Sequence, residues 1–439
     1  MKPSRYNVFI DLEGGRKLAF NGLSATLSEI YPENASLVAR LMENSSQPAT
    51  EDEKEIYQAL VDGRYLVEDE LDELEFLKVR NRRCRFDKNA FFLTIAPTLG
   101  CNFSCEYCFE NQRPGRMNAE TEQAIVKFSE KYMKKAEFAG VIWFGGEPTL
   151  CVPTIERLQN SLRELAEKCG SRFDPASIIT NGFLLDGKLA ERLKGFGVES
   201  AQVTIDGPRE IHDRRRKLHN GSGTYDRILS NLTESSEILK IIVRVNVDRQ
   251  NVDNAFAVVE ELDKKGILPR VNMHFAQVHD SEGVCADIAK HCLATEEFSV
   301  HLTGLYRRLI DSGFYRIEYP SLTLGGHCGA DTDGSFVFTP SGDVFKCWED
   351  IAIPEWSVGN VFSEELTPRQ EANLLKYLGW DPFEREECVS CSILPICMGG
   401  CPRQSLEKGR RVGSCTSWKY NLKEMLTLRY ECDLRKEVI

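Results

Sequence analysis

The chain has 439 residues, 42% of them hydrophobic and 28% charged, as in a soluble globular protein with room for two or three domains. Its net charge of −12 excludes a general nucleic-acid binder, which needs basic density to neutralise phosphates. The start, MKPSRYNVFIDLEGG, has no apolar signal core and no later run nears the length of a membrane span, so a cytoplasmic protein without a membrane is expected.

Residues 1–86 are expected to form a small α/β module. YNVFIDL and RKLAFNG read as two short strands joined by the turn residues Glu13, Gly14 and Gly15. Helical patterns follow in SLVARLMENS and in DEKEIYQALVDG, which ends at Gly63. Another lies in the acidic YLVEDELDELEFLKVRN, where Leu71, Leu74 and Leu77 recur at helical spacing. Two readings stand side by side: a cap with a solvated acidic face, and a docking module whose strand edge takes an extended peptide as another strand.

Next comes the apolar run FFLTIAP and directly after it TLGCNFSCEYCFE, with Cys101, Cys105 and Cys108 spaced C-x3-C-x2-C. Sixteen cysteines in a chain expected in a reducing compartment point to metal or cluster ligands, not disulfides. Three thiolates on one loop can face a common centre, as in iron–sulfur proteins. A four-iron cubane held by three cysteines keeps one iron open for chemistry. Three buried thiols or a zinc knuckle are the alternatives; zinc would want a fourth ligand, for which Cys84 is the nearest candidate.

From Phe91 to Gln277 six strand candidates (FFLTIA, VIWFGG, ASIIT, SAQVTID, KIIVRVNV and VNMHFAQ) alternate with helical stretches such as AETEQAIVKFSEKYMKK and TIERLQNSLRELAEK. Alternation of this kind predicts a parallel sheet with crossover helices. Six repeats fall short of a closed barrel's eight, so the expected α/β fold is a partial (β/α)6 TIM-type barrel over residues 87–315. In such barrels chemistry sits at the carboxyl ends of the strands. Here the first strand leads into the cysteine loop. The next three end in Gly145-Gly146-Glu147-Pro148, Thr180-Asn181-Gly182 and Asp206-Gly207-Pro208. Each alone is also an ordinary turn. Alternation puts Gln202, Thr204 and Asp206 on one face of the fourth strand, Arg244 and Asn246 on one face of the fifth, and Asn272 and His274 on one face of the sixth. Helices on the outside demand apolar residues there, so these polar faces are expected to look inward and to bind something.

After a helical stretch around FSVHLTGLYRRLIDSG the cysteines return as Cys328, then Gly342 and Cys347 in the element G-x4-C, then Cys388-x2-Cys391-x5-Cys397-x3-Cys401, and finally Cys415. Seven thiolates exceed one cubane and imply two auxiliary clusters, with two zinc sites as the rival. The scattered Cys84, Cys151, Cys169, Cys285, Cys292 and Cys432 read as small buried hydrophobes.

The triad, with Tyr107 before its last cysteine, resembles the motif of radical S-adenosylmethionine (radical SAM) enzymes, and residues 316–439 resemble their cysteine-rich SPASM extension. The likeness covers about residues 91–420 and points to maturases of ribosomally made peptides, more distantly to anaerobic sulfatase maturases. It implies an open iron that chelates the amino and carboxylate groups of S-adenosylmethionine. Gly145, Gly146 and Glu147 match the GGE motif that receives the methionine amino group. Asn181 falls where the family places a ribose contact, Arg244 where an arginine takes the methionine carboxylate, and Tyr107 and Asp206 join the cofactor-binding set. By the same resemblance Cys388, Cys391, Cys397 and Cys415 hold one auxiliary cluster, and Cys328, Cys347 and Cys401 the other. Sulfatase maturases have an eighth cysteine a few residues before the position of Cys328. Leu322 and its neighbours stand there in this chain, which leaves the fourth ligand open to another residue or a substrate thiolate. The run IDGPREIHDRRR, with GSGTYDRI after it, resembles peptide-modifying members; His212, Arg214, Arg215 and Arg216 either border the substrate or form a solvated turn.

What the resemblance implies is a peptide maturase with three [4Fe-4S] clusters. It would cleave S-adenosylmethionine reductively to a 5′-deoxyadenosyl radical and use it to oxidise a precursor peptide, by a thioether or carbon–carbon crosslink. Flavodoxin or ferredoxin would supply the electron, and no nucleic acid takes part. A formylglycine-generating sulfatase maturase and an iron–sulfur electron carrier or scaffold are the alternatives. No catalytic acid or base is identified; Asp280 and Gln277 are candidates only by their place just past the sixth strand.

Overall fold

The computed structural model describes residues 1–44, 48–110, 115–279, 286–322, 328–407 and 414–437. They form two compact units. The first joins Met1–Arg85 to Glu318–Cys328 and Trp380–Ile439; the second joins Phe86–Ile317 to Gly329–Gly379. The C-terminal third, expected as one domain, is thus shared between the two.

In the first unit β1 (Asn7–Asp11), β2 (Lys17–Asn21) and β3 (Thr26–Ile30) form an antiparallel meander in the order β1-β2-β3. The third strand was not expected. The turn at Glu13–Gly15 is where the sequence places it. Successive residues of β2 point to opposite faces, and both faces are covered. Ala19 packs with Leu41, Leu60 and Tyr65 from α1 (Pro32–Asn44), α2 (Glu51–Asp62) and the segment after it. Phe20 packs with Ile393, Ile396, Leu422 and Leu426 of the C-terminal segment. Two-sided burial explains why β2 reads KLAFN without alternation. A second apolar cluster ties Tyr6, Leu23 and Leu77, the last on α3 (Glu73–Arg85), to Cys388, Leu394 and Met398. The N-terminal module and the cysteine-rich C-terminus therefore share one core.

The second unit is built on the six expected strands: β4 (Ala90–Ile95), then, past the short β5 (Phe103–Cys105), β6 (Phe138–Trp143), β7 (Ala176–Thr180) and β8 (Val198–Thr204), and, past the short β9 (Arg216–Leu218), β10 (Lys240–Val247) and β11 (Val271–Gln277). All neighbours along β4-β6-β7-β8-β10-β11 are parallel. Crossovers run through helices such as α4 (Ala119–Met133) and α5 (Val152–Cys169), α5 ending at Gly170 in the left-handed region. This is an α/β partial barrel. Val243, Val245 and Val247 of β10 are fully buried while Arg244 and Asn246 between them are half-buried, as alternation requires. Unforeseen was the far edge, where β12 (Ser335–Phe338) lies parallel to β4 and is followed by antiparallel β13 (Asp343–Phe345). Val337 and Phe345 there pack with Phe144, Ile351 and the cysteine-loop residues Leu99 and Phe109. No described helix is long and apolar enough to cross a membrane.

Candidate active site

The cysteine loop leaves β4 and is fastened to the ends of the next strands. Gly146 N–H donates to the Thr98 carbonyl (3.1 Å) and Glu147 N–H to the Gly100 carbonyl (2.9 Å). Gly146 has no room for a side chain, because a Cβ would stand 2.3 Å from the Gly100 oxygen. Gly145 is equally constrained, with φ of 112° and a Cβ position 2.4 Å from the Thr98 oxygen. Glu147 is fully buried. Its Oε1 accepts from the Thr149 N–H and from the Thr149 and Thr180 hydroxyls, and its Oε2 from the Asn181 N–H at 2.7 Å. Each carboxylate oxygen offers about two lone-pair sites, and Oε2, which accepts a single hydrogen bond, keeps one. Asn181 Nδ2 donates to Asn102 Oδ1 (2.8 Å) and lies 3.9 Å from Cys101 Sγ. The motifs at the ends of β6 and β7 are therefore hydrogen-bonded to each other and to the cysteine loop.

Cys101, Cys105 and Cys108 are half-buried. Burial, with Glu147 adding to it, pushes the Cys101 thiol up to about 12, and burial pushes Cys105 and Cys108 up as well. Without a cation they stay protonated, and ligation to a metal centre is what makes such thiols thiolates.

A second network gathers on Tyr107. Its hydroxyl donates to Asp206 Oδ2 and accepts from Arg216 Nη1 and, at 3.1 Å, from Asn246 Nδ2. Asp206 is fully buried; its Oδ1 accepts from the Asn246 N–H (3.2 Å) and its Oδ2 is 3.5 Å from Arg215 Nε. Arg215 in turn holds both oxygens of Asp248 through Nη1, at 3.0 and 2.8 Å. Arg244 Nε donates to Asn246 Oδ1 (2.7 Å), which joins the expected carboxylate-binding arginine to the same network. His212 closes it from behind. Its Nδ1 accepts from the Asp206 N–H (3.3 Å), and Thr224, whose hydroxyl donates to the Arg216 carbonyl, is left to accept from Nε2 (3.1 Å). Burial lowers its pKa to about 4, in keeping with a neutral ring.

The arginine run thus divides. Arg214 is exposed, whereas Arg215 and Arg216 are buried around Tyr107. After α6 (Arg209–Arg215) the chain forms β9, which pairs antiparallel with β5 inside the cysteine loop and sets Arg216 opposite Cys105. His219 Nε2 then donates to the Cys101 carbonyl (2.9 Å). Sequence reasoning missed this clamp and also Asp248. The alternation that marks Arg244 and Asn246 continues to Asp248 and could have found it.

Of the candidates past the sixth strand, Gln277 spends its amide on the Leu293 carbonyl (2.7 Å) and Asp280 lies outside the described residues. In the first unit, Cys388, Cys391, Cys397 and Cys415 fall in one neighbourhood. Burial raises the Cys388 thiol to about 11, and Cys397 and Cys415 are near enough to act on it electrostatically. Lys419 feels Cys415 first and Cys391 after it. Gly400, with φ of 80° and a Cβ position 1.5 Å from the Ser414 oxygen, lets the strand-like bridge Gly400–Ser414 close and brings the chain at Cys401 beside Cys415. Cys401 and Cys328 belong to the first unit and Cys347 to the second.

An open parallel barrel with a three-cysteine loop after its first strand defines the class. Residues 95–262 match the model of the Radical SAM superfamily. The radical SAM cyclopropyl synthase TigE of Paramaledivibacter caminithermalis is 26% identical over 380 residues, covering 76% of this chain and 75% of its own. The serine-type anaerobic sulfatase-maturating enzyme of Bacteroides thetaiotaomicron is 24% identical over 360 residues, covering 70% and 81%. The crystal structure of Streptococcus suis SuiB bound to precursor peptide SuiA superposes with a TM-score of 0.51 at 14% identity, over 93% of this chain and 97% of that one. The chain therefore carries a radical SAM domain at residues 95–262 and is similar to a radical SAM cyclopropyl synthase and to sulfatase-maturating enzymes.

Such a domain implies S-adenosylmethionine and a [4Fe-4S] cluster. The residues present fit the cluster. Three thiols share one pinned loop, and Arg216 Nε, across from Cys105, is buried with no hydrogen-bond partner, a polar group waiting for an anion. Among the described residues no three His, Cys, Asp or Glu side chains stand close enough for a single metal ion.

Proposed function

We propose that this enzyme oxidatively crosslinks a ribosomally made peptide, by a thioether or carbon–carbon bond. The observation that carries the reading is the fastening of the triad loop to the ends of β6 and β7 through Gly146, Glu147 and Asn181. Cys101, Cys105 and Cys108 would hold the cluster. When bound, the cluster would deliver the electron that cleaves S-adenosylmethionine to a 5′-deoxyadenosyl radical. This chain's residues do the rest. The edge at Gly145–Glu147 would receive the methionine amino group, Arg244 would take the carboxylate, and Asn181 would contact the ribose. Tyr107 and Asp206 hold the floor of that site rigid, and the barrel wall excludes water from the reacting carbon. We assign two auxiliary clusters to the seven C-terminal cysteines, flavodoxin or ferredoxin as electron donor, and peptide docking by strand addition to the sheet β1-β2-β3. The SuiB structure, bound to precursor peptide SuiA and alike in fold over 93% of this chain, supports a peptide substrate.

Co-expression with short peptides encoded beside its gene, read by mass spectrometry, tests the proposal. A peptide lighter by two hydrogens and unreactive toward hydroxylamine is expected. The likeness to the Bacteroides enzyme favours a second reading, formylglycine formation; a hydroxylamine-reactive aldehyde would establish it and remove the crosslink.

A further inference from the structure

Arg216 is buried, with a relative exposure of 7%. Its polar contact is a hydrogen bond from Nη1 to the neutral Tyr107 hydroxyl, and its Nε has none. No carboxylate lies within ion-pair distance of it among the described residues. The neighbouring Arg215 differs, because it holds Asp248 directly and lies 3.5 Å from Asp206, whereas Asp206 reaches Arg216 only through the shared Tyr107 hydroxyl. A buried charge left unpaired costs several kcal/mol or more, so proteins seldom keep one without a counter-ion. Around Arg216 lie the rings of Phe103 and Tyr107, with its Cζ at 5.7 and 5.9 Å from their centroids, and Cys105, its direct partner across the β5–β9 ribbon. Directly opposed residues of an antiparallel pair project to the same face, with Cβ atoms about 5 Å apart.

We propose that Arg216 is the built-in counter-charge of the cluster held by the triad, a positioning residue that acts through Cys105 to make that cluster easier to reduce. This rests on the assignment of Cys101, Cys105 and Cys108 as its ligands. Adding an electron to a cluster–thiolate assembly adds negative charge, and a fixed cation in a dry site favours the reduced form. The electron comes from the external donor, and Arg216 neither gains nor loses a proton. The ribbon places the cation by backbone pairing, so Lys at 216 keeps the charge although it loses the fork to Tyr107.

The test is a redox titration of the anaerobically reconstituted holoenzyme followed by EPR, using the signal that changes on adding S-adenosylmethionine to identify the triad cluster. For Arg216→Gln, at least a tenfold lower reduced-to-oxidised ratio than the parent is expected at the same poise, which is about 59 mV for one electron. Arg216→Lys should stay within about threefold of the parent. An unchanged ratio in Arg216→Gln, or an equal loss in Arg216→Lys, would overturn the proposal. Should Arg216→Gln fail to retain the cluster, Arg216→Lys decides alone: parent-like occupancy and ratio support the role, and loss of either refutes it. A parent protein with no S-adenosylmethionine-sensitive signal would instead refute the ligand assignment.

Discussion

At the residue scale, His212 shows how burial sets chemistry. Its ring is enclosed between the Asp206 backbone and Thr224, and desolvation lowers its pKa to about 4 from an ordinary 6.5. The unfolded chain therefore binds a proton between about pH 6.5 and 4 that the folded chain refuses. The stabilising effect is complete above 6.5 and is lost as pH falls through that window, by on the order of 3 kcal/mol for this group. His212→Asn removes the titration. Its denaturation midpoint should shift less between pH 7 and 4.5 than the parent's; parallel shifts would exclude His212 as the source.

At the scale of elements, legibility followed length and period. The six parallel strands could be read because each is an apolar run set between helices of sufficient length, and the cysteine triad because its spacing needs no fold to be seen. The β5–β9 ribbon could not, since three residues such as Arg216–Leu218 carry no period and owe their pairing to the barrel that brings them together. For the same reason the arginine run left two readings open. β12 and β13 were missed because a four-residue and a three-residue strand beyond a change of unit have no local signal. Gly400 is an element-level prediction. Alanine there must displace the Ser414 carbonyl and hold φ of 80°, so Gly400→Ala should lower thermal stability and strip about a third of the iron while S-adenosylmethionine cleavage survives. Full iron content in the variant would show that the Gly400–Ser414 contact does not support a cluster.

At the scale of the whole molecule, the N-terminal module cannot be treated as a detachable accessory. Tyr6, Leu23 and Leu77 share a core with Cys388, Leu394 and Met398, and Phe20 another with Ile396 and Leu426. Deleting residues 1–85 should therefore expose the C-terminal apolar surface and cost iron as well as any peptide affinity. A truncated chain that stays monomeric with unchanged iron would contradict that shared core. To isolate docking, Phe9→Glu is the better change, because Phe9 on the edge strand β1 is 41% exposed. It should weaken peptide binding and leave S-adenosylmethionine cleavage intact; unchanged binding would move docking elsewhere.

The most direct test of the central claim is 5′-deoxyadenosine release by the anaerobically reconstituted, dithionite-reduced protein, measured beside the variant with Cys101, Cys105 and Cys108 all replaced by Ala. The intact chain should release it. The variant should release none while keeping about two-thirds of the iron, because the seven cysteines from Cys328 to Cys415 lie more than two hundred residues downstream. Release of 5′-deoxyadenosine by the triple variant would contradict the assignment of the triad as the site of S-adenosylmethionine cleavage.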